Sequence, residues 1–160
     1  MIPGLVIAVD DPEARDVRDL LAVHLSFARS VTPVEYSFAL NVAQLKGRDV
    51  TFVSARQDGA LIAVGALKRL DESHAELKSM HVAEAARGQG VGRAMVEYLL
   101  AFARHRGFSR VSLETGTVAE FAPAQALYTS AGFRPCEPFG EYTATPYNTC
   151  MTISLVRRQA

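Results

Sequence analysis

The feature that most constrains the fold is a predicted strand that ends in a glycine-rich turn and runs directly into a predicted helix. The strand covers residues 76–82, and the turn is Arg-Gly-Gln-Gly-Val-Gly at 87–92. Glycine has no Cβ, so such a turn can bend tightly and bring its backbone close to a ligand. The first turn of a helix has N–H groups without intrahelical partners and a partial positive charge. The junction is therefore predicted to bind a diphosphate-like anion, with Arg87 and Arg93 as charged donors.

The residues after the turn have the spacing of an amphipathic helix. Apolar side chains recur three or four positions apart from Val91 to Ala103, and Gly107 follows as a helix-terminating residue. Two other phosphate-binding motifs do not fit. A dinucleotide fingerprint requires a third glycine where this chain has Arg93, and a P-loop requires a Gly-Lys-Ser/Thr sequence that does not occur.

Hydrophobic periodicity over the rest of the chain predicts an α/β or α+β layout around one central sheet. The expected elements are a strand at 5–9, a helix at about 12–29 capped by Asp11 and Pro12, an ill-defined segment at 30–49, a hairpin of strands at 50–56 and 61–70, strands at 75–82 and 110–115, a helix at 123–131, and strands at 133–137 and 148–155. Asp58 and Gly59 predict the hairpin turn, because both readily adopt positive φ. Residues 30–49 are expected to cover a substrate site.

Size and composition fit a single domain over residues 1–160. With 49% hydrophobic residues, the chain can bury a core without disulfides or metal. The 17 basic and 17 acidic residues give no net charge, so nucleic acid is not an expected partner. No segment has the pattern of a membrane span or signal peptide, and Cys136 and Cys150 lack a zinc-site or disulfide spacing. We therefore expect a cytoplasmic protein with reduced thiols and no membrane partner.

The Arg-x-x-Gly-x-Gly pattern at 87–92 resembles the cofactor loop of the GNAT superfamily, the Gcn5-related N-acetyltransferases that use acyl-CoA. A family-like Leu-Tyr…Gly-Phe segment occupies 127–133, and the resemblance covers about residues 50–155. The segments Glu-Leu-Lys-Ser-Met at 76–80 and Ser-Leu-Glu-Thr-Gly at 112–116 are similar to one bacterial subgroup. The resemblance implies a GNAT-like fold, with a mostly antiparallel mixed sheet of about seven strands and about four flanking helices.

The resemblance also implies acetyl-CoA as the cofactor, and no metal. The residues expected to bind it are Met80, His81, Val82, Arg87, Gly88, Gln89, Gly90, Val91, Gly92 and Arg93. A backbone N–H near residues 80–82 is expected to stabilise the oxyanion. Strand alternation places Glu76, Lys78 and Met80 on one face. His81 is then expected to point away from them, as a packing or rim residue.

Two residues are expected to transfer protons. In the family, a tyrosine at the position of Tyr128 protonates the departing thiolate, a role that suits a phenol. Glu76 matches the strand glutamate that acts as general base in the histone-acetylating members. Since an alkylamine is mostly protonated at neutral pH, such a base has a clear use. The alternatives are a core tyrosine and a simple ion pair between Glu76 and Lys78.

The expected substrate-binding residues are His24, Tyr36 and Glu114. Glu114 follows a buried strand segment beside the expected cleft, where it can attract a cationic amine or form a local salt bridge. His24 lies on an apolar helix stripe, so a buried histidine without a substrate role is the alternative. Lys78 and Arg134 can instead bind a substrate carboxylate, and the sequence does not decide between these interpretations.

Three further positions complete the expectations. His74 and His105 are expected to be exposed turn and helix-end residues. Phe121 stands where many relatives have an asparagine that holds the pantetheine arm, which puts that contact in doubt.

The expected function is transfer of the acetyl group of acetyl-CoA to a primary amine of a small molecule, by direct attack in a ternary complex. A covalent intermediate at Cys136 or Cys150 is not expected, because neither cysteine lies in the motif segments. The alternatives are a protein lysine or N-terminal acetyltransferase and a non-catalytic acyl-CoA-binding sensor. Dimers are common among relatives, so a homodimer is considered as well.

Overall fold

A computed structural model describes residues 2–32 and 40–156, and its centre is one seven-stranded sheet. The strands are β1 Leu5–Val9, β2 Val50–Gln57, β3 Ala60–Arg69, β4 His74–Val82, β5 Arg110–Gly116, β6 Arg134–Cys136 and β7 Asn148–Ser154. Their order across the sheet is β1-β2-β3-β4-β5-β7-β6, and β4 with β5 is the parallel pair. The mixed, mostly antiparallel sheet confirms the predicted fold class.

Helices cover both faces of the sheet. They are α1 Arg15–Val31, α2 Val42–Leu45, α3 Val91–His105 and α4 Ala122–Ser130, with short 3₁₀ turns at Glu84–Ala86 and Ala119–Phe121. One apolar cluster joins the sheet to Met95 and Leu99 of α3, and a second joins its other face to Val17 and Leu21 of α1. Among the described residues, no helix is long and apolar enough to cross a membrane.

The start of α1 differs from the prediction. Ala14, not Asp11, is the N-cap residue, and it makes no side-chain cap hydrogen bond. Asp11 Oδ1 accepts a hydrogen bond from the Glu13 backbone N–H at 2.8 Å, so its side chain organises the turn before the helix. The segment expected to cover the substrate site is residues 30–49, and α2 lies in its described part. Tyr36 lies outside the described residues.

The hairpin between β2 and β3 has the predicted turn. Asp58 and Gly59 have φ of 51° and 88°, the positive values that primed turns require. The prediction from the Asp-Gly pair is confirmed.

A β-bulge in β4 changes which side chains share a face. Val64 pairs with His81 while Ala66 pairs with Lys78, so two residues of β4 lie opposite Gly65. Ser79, inside the bulge, has a φ of 57°. A Cβ on Gly65 would lie 2.6 Å from Met80 Sδ and 3.2 Å from a methyl of Leu99 in α3. Met80 therefore lies on the α3 face of the sheet.

The predicted alternation along β4 is consequently wrong after Lys78. Simple alternation assumes one residue per pleat, and the bulge inserts one more. His81 contacts His24 of α1, on the face that carries Glu76 and Lys78, while Met80 points to the opposite side.

The parallel pairing of β4 and β5 is short. It joins His74–Glu76 to Arg110–Ser112, although β4 continues to Val82 and β5 to Gly116. The two strands therefore diverge beyond Glu76, and a gap opens through the sheet.

Candidate active site

The gap between β4 and β5 is part of a cleft of about 530 Å³. It is lined by elements from both faces of the sheet: α1, the glycine-rich turn, α4 and the loop before β7. The predicted site residues that line it are Glu76, Met80, His81, Val82, Arg87, Gly88, Gly90, Val91, Gly92, Arg93, His24, Glu114 and Tyr128. Gln89 is exposed and is not among them.

The glycine-rich turn forms one end of the cleft. Gly88 and Gly90 have φ of 78° and 86°, and a Cβ on either would meet no atom within 4 Å, so the backbone conformation is what requires glycine there. Gly90 is the N-cap of α3 and makes no side-chain cap, and Ala94 N–H makes the first helical bond to the Gly90 carbonyl. The N–H groups of residues 91–93 therefore have no helical acceptors and can bind an anion.

Gly92 has a different role from the other two glycines. A Cβ there would lie 3.0 Å from a methyl of Leu127, so its small size allows α3 to pack against α4. Arg87 Nε donates to the Val82 carbonyl at 3.1 Å, and Arg93 Nε donates to Glu97 at 3.1 Å. Both guanidinium groups thus lie beside the turn and add positive charge to this end of the cleft.

Tyr128 of α4 lies in the cleft wall and is 8% exposed. Its ring packs edge-on against Phe133, with centroids 5.8 Å apart. Burial raises the pKa of Tyr128 above its ordinary value, because the phenolate would lose hydration. The phenol consequently keeps its proton at neutral pH and can donate it.

Glu76 belongs to a buried hydrogen-bond network with Lys78 and Tyr142. Lys78 Nζ donates to Glu76 Oε2 at 3.1 Å and to the Tyr142 hydroxyl at 2.6 Å, and the Tyr142 hydroxyl donates to Glu76 Oε2. The side chains of Lys78 and Glu76 are 9% and 4% exposed. The ion pair considered as the alternative role of Glu76 is therefore present. Tyr142 was not predicted, because it lies in an irregular segment without periodicity or motif.

Glu114 lies on β5 beyond its last pairing with β4 and lines the cleft. Burial raises the pKa of its carboxyl to about 7, although nearby Lys78 and a hydrogen bond with Asn148 act in the opposite direction. At neutral pH this carboxyl is poised between its charged and neutral forms. Arg134, the other expected carboxylate-binding residue, is exposed on β6 and is not among the lining residues.

His24 and His81 meet across the cleft wall. Their Nδ1 atoms are 3.2 Å apart and their ring centroids 5.2 Å apart. Burial, together with the neighbouring His81, lowers the pKa of His24 to about 4, and burial lowers the pKa of His81. Both imidazoles are thus neutral at pH 7, with one donating to the other. The His81 Nε2 atom is buried and has no hydrogen-bond partner in residues 2–32 and 40–156.

The two remaining histidines differ from each other. His105 is exposed at the end of α3, as expected. The predicted exposure of His74 is wrong, because this residue begins β4 and faces a covering loop. Its Nε2 lies 2.6 Å from Ser112 Oγ, and its ring packs against Phe139.

Phe121 forms an apolar part of the cleft wall. A Cβ on Gly116 would overlap its ring, and the ring of Phe27 in α1 lies 5.5 Å away, edge to face. The aromatic side chain thus connects the end of β5 to α1 at the position where the family resemblance implies an asparagine in many relatives.

Cys136 and Cys150 are free thiols that lie directly opposite each other on β6 and β7. The sequence spacing gave no indication of this neighbourhood. Burial raises the pKa of Cys150 to about 11, which disfavours its nucleophilic thiolate at neutral pH. Within the described part of the chain, no group of three or more His, Cys, Asp or Glu side chains could hold a metal ion.

Comparison with known proteins assigns the fold and cleft to a family. Residues 14–133 match the model of the acetyltransferase (GNAT) family, and the chain belongs to this family. It is 40% identical over 149 residues to the uncharacterized N-acetyltransferase YsnE of Bacillus subtilis (strain 168), which covers 93% of this chain and 99% of that protein. The protein is an acetyltransferase.

Two solved structures agree with this assignment. A protein of Klebsiella pneumoniae subsp. pneumoniae MGH 78578, named provisionally as an acyl-CoA N-acyltransferase, superposes with a TM-score of 0.81 at 25% identity, over 95% of this chain and 98% of that one. An aminoglycoside 6′-N-acetyltransferase complexed with coenzyme A has a TM-score of 0.71 at 16% identity, over 97% and 99% of the two chains. At 16% identity, the second structure shows a similarity of fold alone.

Proposed function

We propose that the protein transfers the acetyl group of acetyl-CoA to a primary amine of a small molecule, by direct attack within a ternary complex. One observation carries this proposal: the gap between β4 and β5 connects an uncapped helix N-terminus on one face of the sheet with the carboxyl groups of Glu76 and Glu114 on the other. Anion and amine can therefore approach each other through the sheet from opposite sides.

The glycine-rich turn and the end of β4 fit acetyl-CoA. The N–H groups of residues 91–93 and the Arg87 side chain would hold its phosphates, with Gly88 and Gly90 keeping the backbone accessible. Beyond Glu76, the β5-facing edge of β4 is outside the strand ladder, so main-chain groups of residues 80–82 would be available for pantetheine and for developing negative charge, apart from the Val82 carbonyl, which accepts from Arg87. Bound acetyl-CoA supplies the activated acyl group.

The proton transfers are assigned to side chains of the cleft. Tyr128 would protonate the departing sulfur, because a phenol is protonated at neutral pH and this one lies in the cleft wall. Glu76 and Glu114 are the carboxylates available to take the amine proton. Glu76 Oε2 already accepts from Lys78 and Tyr142, so Glu76 would act within this network.

The proposal also includes the expected domain, location and partners of the protein. The single sheet and the absence of net charge are consistent with one domain over residues 1–160 that acts on a small molecule in the cytoplasm, without nucleic acid, membrane or metal, as a monomer or homodimer. Two other functions compete with this proposal: that of a protein acetyltransferase and that of a non-catalytic acyl-CoA sensor.

The cofactor site can be tested with a pair of matched glycine variants. Gly90 and Gly107 have φ of 86° and 88°, and a Cβ at either meets no atom within 4 Å. Substitution of either glycine by alanine should therefore lower the free energy of unfolding by a similar amount, about 1–2 kcal/mol. Only Gly90→Ala should weaken acetyl-CoA binding, by about tenfold or more, because only Gly90 adjoins the N-terminus of α3. Calorimetry that finds no acetyl-CoA binding to the wild type would end the proposal.

Turnover is tested by thiol release from acetyl-CoA with a panel of amines, amino acids and peptides. Acetylation of peptides in preference to small amines would favour a protein acetyltransferase. Tight binding of acetyl-CoA without thiol release on any acceptor would favour the sensor.

A further inference from the structure

At the acceptor end of the cleft, carboxyl groups outnumber ammonium groups among the described residues. Glu76, Lys78 and Glu114 all line it, so two carboxylates share one ammonium. Lys78 Nζ is committed to Glu76 Oε2 and to the Tyr142 hydroxyl, at 3.1 and 2.6 Å, and the Lys78 side chain is 9% exposed. Lys78 is therefore poorly placed to receive a carboxylate from a substrate. Glu114 is thus the carboxyl without an ammonium partner, and at neutral pH it is charged in a substantial fraction of molecules.

Other groups near Glu114 do not cancel this charge. Asn148 is its hydrogen-bond partner and is neutral, and Cys150 lies opposite it on β7 as a neutral thiol. His24 and His81, farther along the wall, are neutral at pH 7 because burial lowers their pKa values.

Apart from Lys78, the cationic side chains that line the described cleft lie at its other end. Arg87 and Arg93 flank the glycine-rich turn, beside the N-terminus of α3. The cleft thus has one end flanked by arginines and one end where carboxyl groups outnumber ammonium groups, and Glu120 adds a third carboxyl to its lining. The rings of Phe27 and Phe121 also line the cleft, where they pack against each other and present aromatic surface, which suits an organic cation.

From this arrangement we propose that the acceptor is a cationic primary amine with no carboxylate next to the reacting nitrogen, and that its ammonium binds at Glu114. This inference rests on the proposed acetyltransferase function. It decides between the two substrate types that the sequence left open, an amine recognised by Glu114 and an amino acid whose carboxylate binds Lys78 or Arg134.

The chemistry that follows is balanced by the residues described. Glu114 takes one proton from the ammonium, and the neutral nitrogen attacks the thioester carbon. The new N–C bond forms as the C–S bond breaks, and the sulfur takes the bonding electron pair and a proton from Tyr128. The product nitrogen then loses a second proton, which balances the proton that Tyr128 takes up again. Glu114 releases its proton to water.

The test uses acceptors that differ only at the carboxylate position: tyramine, tyrosinamide and tyrosine, with pentylamine and norleucine as an aliphatic pair. Acetyl-CoA binding is first established by calorimetry, whose failure would refute the proposed function itself. Acceptor binding to the protein saturated with CoA and turnover with acetyl-CoA are then measured for wild type, Glu114→Gln and the control Glu72→Gln, which alters an exposed turn glutamate.

We expect tyramine, tyrosinamide and pentylamine to exceed their carboxylated counterparts by about tenfold or more, because like charges at close range repel strongly in a partly buried site. This preference should shrink to less than about threefold in Glu114→Gln and persist in Glu72→Gln. The inference fails if tyrosine or norleucine is equal or better, if tyrosinamide is as poor as tyrosine, if the preference survives in Glu114→Gln, or if no probe binds although acetyl-CoA does.

Discussion

Glu114→Gln should make the folded protein more stable at pH 8. Burial raises the pKa of this carboxyl from its ordinary 4.5 to about 7 in the folded state. Between these two values the folded protein holds a proton that the unfolded chain has lost, so the free energy of unfolding falls as pH rises from 4.5 to 7 and stays constant above. Glutamine has nearly the same shape as glutamate but no charge, so Glu114→Gln removes this loss of unfolding free energy.

The size of the effect follows from the same two values. Their difference corresponds to about 3 kcal/mol at pH 8, as an upper limit, because water in the cleft screens part of the burial. We therefore expect a gain of about 1–3 kcal/mol, or roughly 3–10 °C in Tm for a domain of this size. Near pH 4 the wild-type carboxyl is protonated in both states, so the gain should be close to zero.

Urea unfolding of wild type, Glu114→Gln and Glu72→Gln at pH 5 and pH 8 measures this directly. The Glu72 variant should be neutral within about 0.5 kcal/mol at both pH values, because its side chain is exposed. A Glu114→Gln protein that is no more stable than wild type at pH 8, or whose gain does not depend on pH, would show that the carboxylate is not destabilised by burial. The charge argument for the acceptor would then lose its physical basis.

Three further predictions concern the proposed catalytic acid, the thiols and the cleft wall. Tyr128→Phe should lower kcat by about a hundredfold or more while the Kd of acetyl-CoA changes by less than about threefold, and an unchanged kcat would remove Tyr128 from the mechanism. Alanine at both Cys136 and Cys150 should leave turnover largely intact, whereas a loss beyond about a hundredfold would contradict direct transfer. Gly116→Ala should cost about 1–3 kcal/mol in urea unfolding, because the new methyl overlaps the ring of Phe121. Combining it with Phe121→Ala should recover part of that cost, and strictly additive losses would show that the two sites do not interact.

Local signals explain what could be predicted from the sequence. The hairpin depends on Asp58 and Gly59, and the turn before α3 depends on glycines whose positive φ values few other residues adopt. Apolar periodicity located the long helices, since α1 and α3 each pack one side against the sheet. In these elements, each conformation is determined by residues that are adjacent or a few positions apart.

The features that escaped prediction depend on contacts between distant segments. At the bulge that contains Ser79, Met80 lies against Gly65 of the neighbouring strand, a contact that no short window of sequence contains. Tyr142 reaches Glu76 across 66 positions of sequence, from a loop without periodicity. His74 begins a strand under that same loop, so its burial depends on chain that comes much later.

The energetically costly features of this fold concentrate along the cleft. Ser79 adopts a left-handed conformation, and the buried side-chain atoms without hydrogen-bond partners in the described residues are Ser79 Oγ and His81 Nε2. Glu114, beside the same gap, is a carboxyl whose ionisation burial opposes. A fold optimised for stability alone would have few reasons to place strain, unmet hydrogen-bonding capacity and a poorly hydrated charge on the same walls. Their coincidence where β4 and β5 separate supports the proposed active site independently of the glycine motif, and it predicts that a variant which removes one of these costs, such as Glu114→Gln, gains stability and loses activity together.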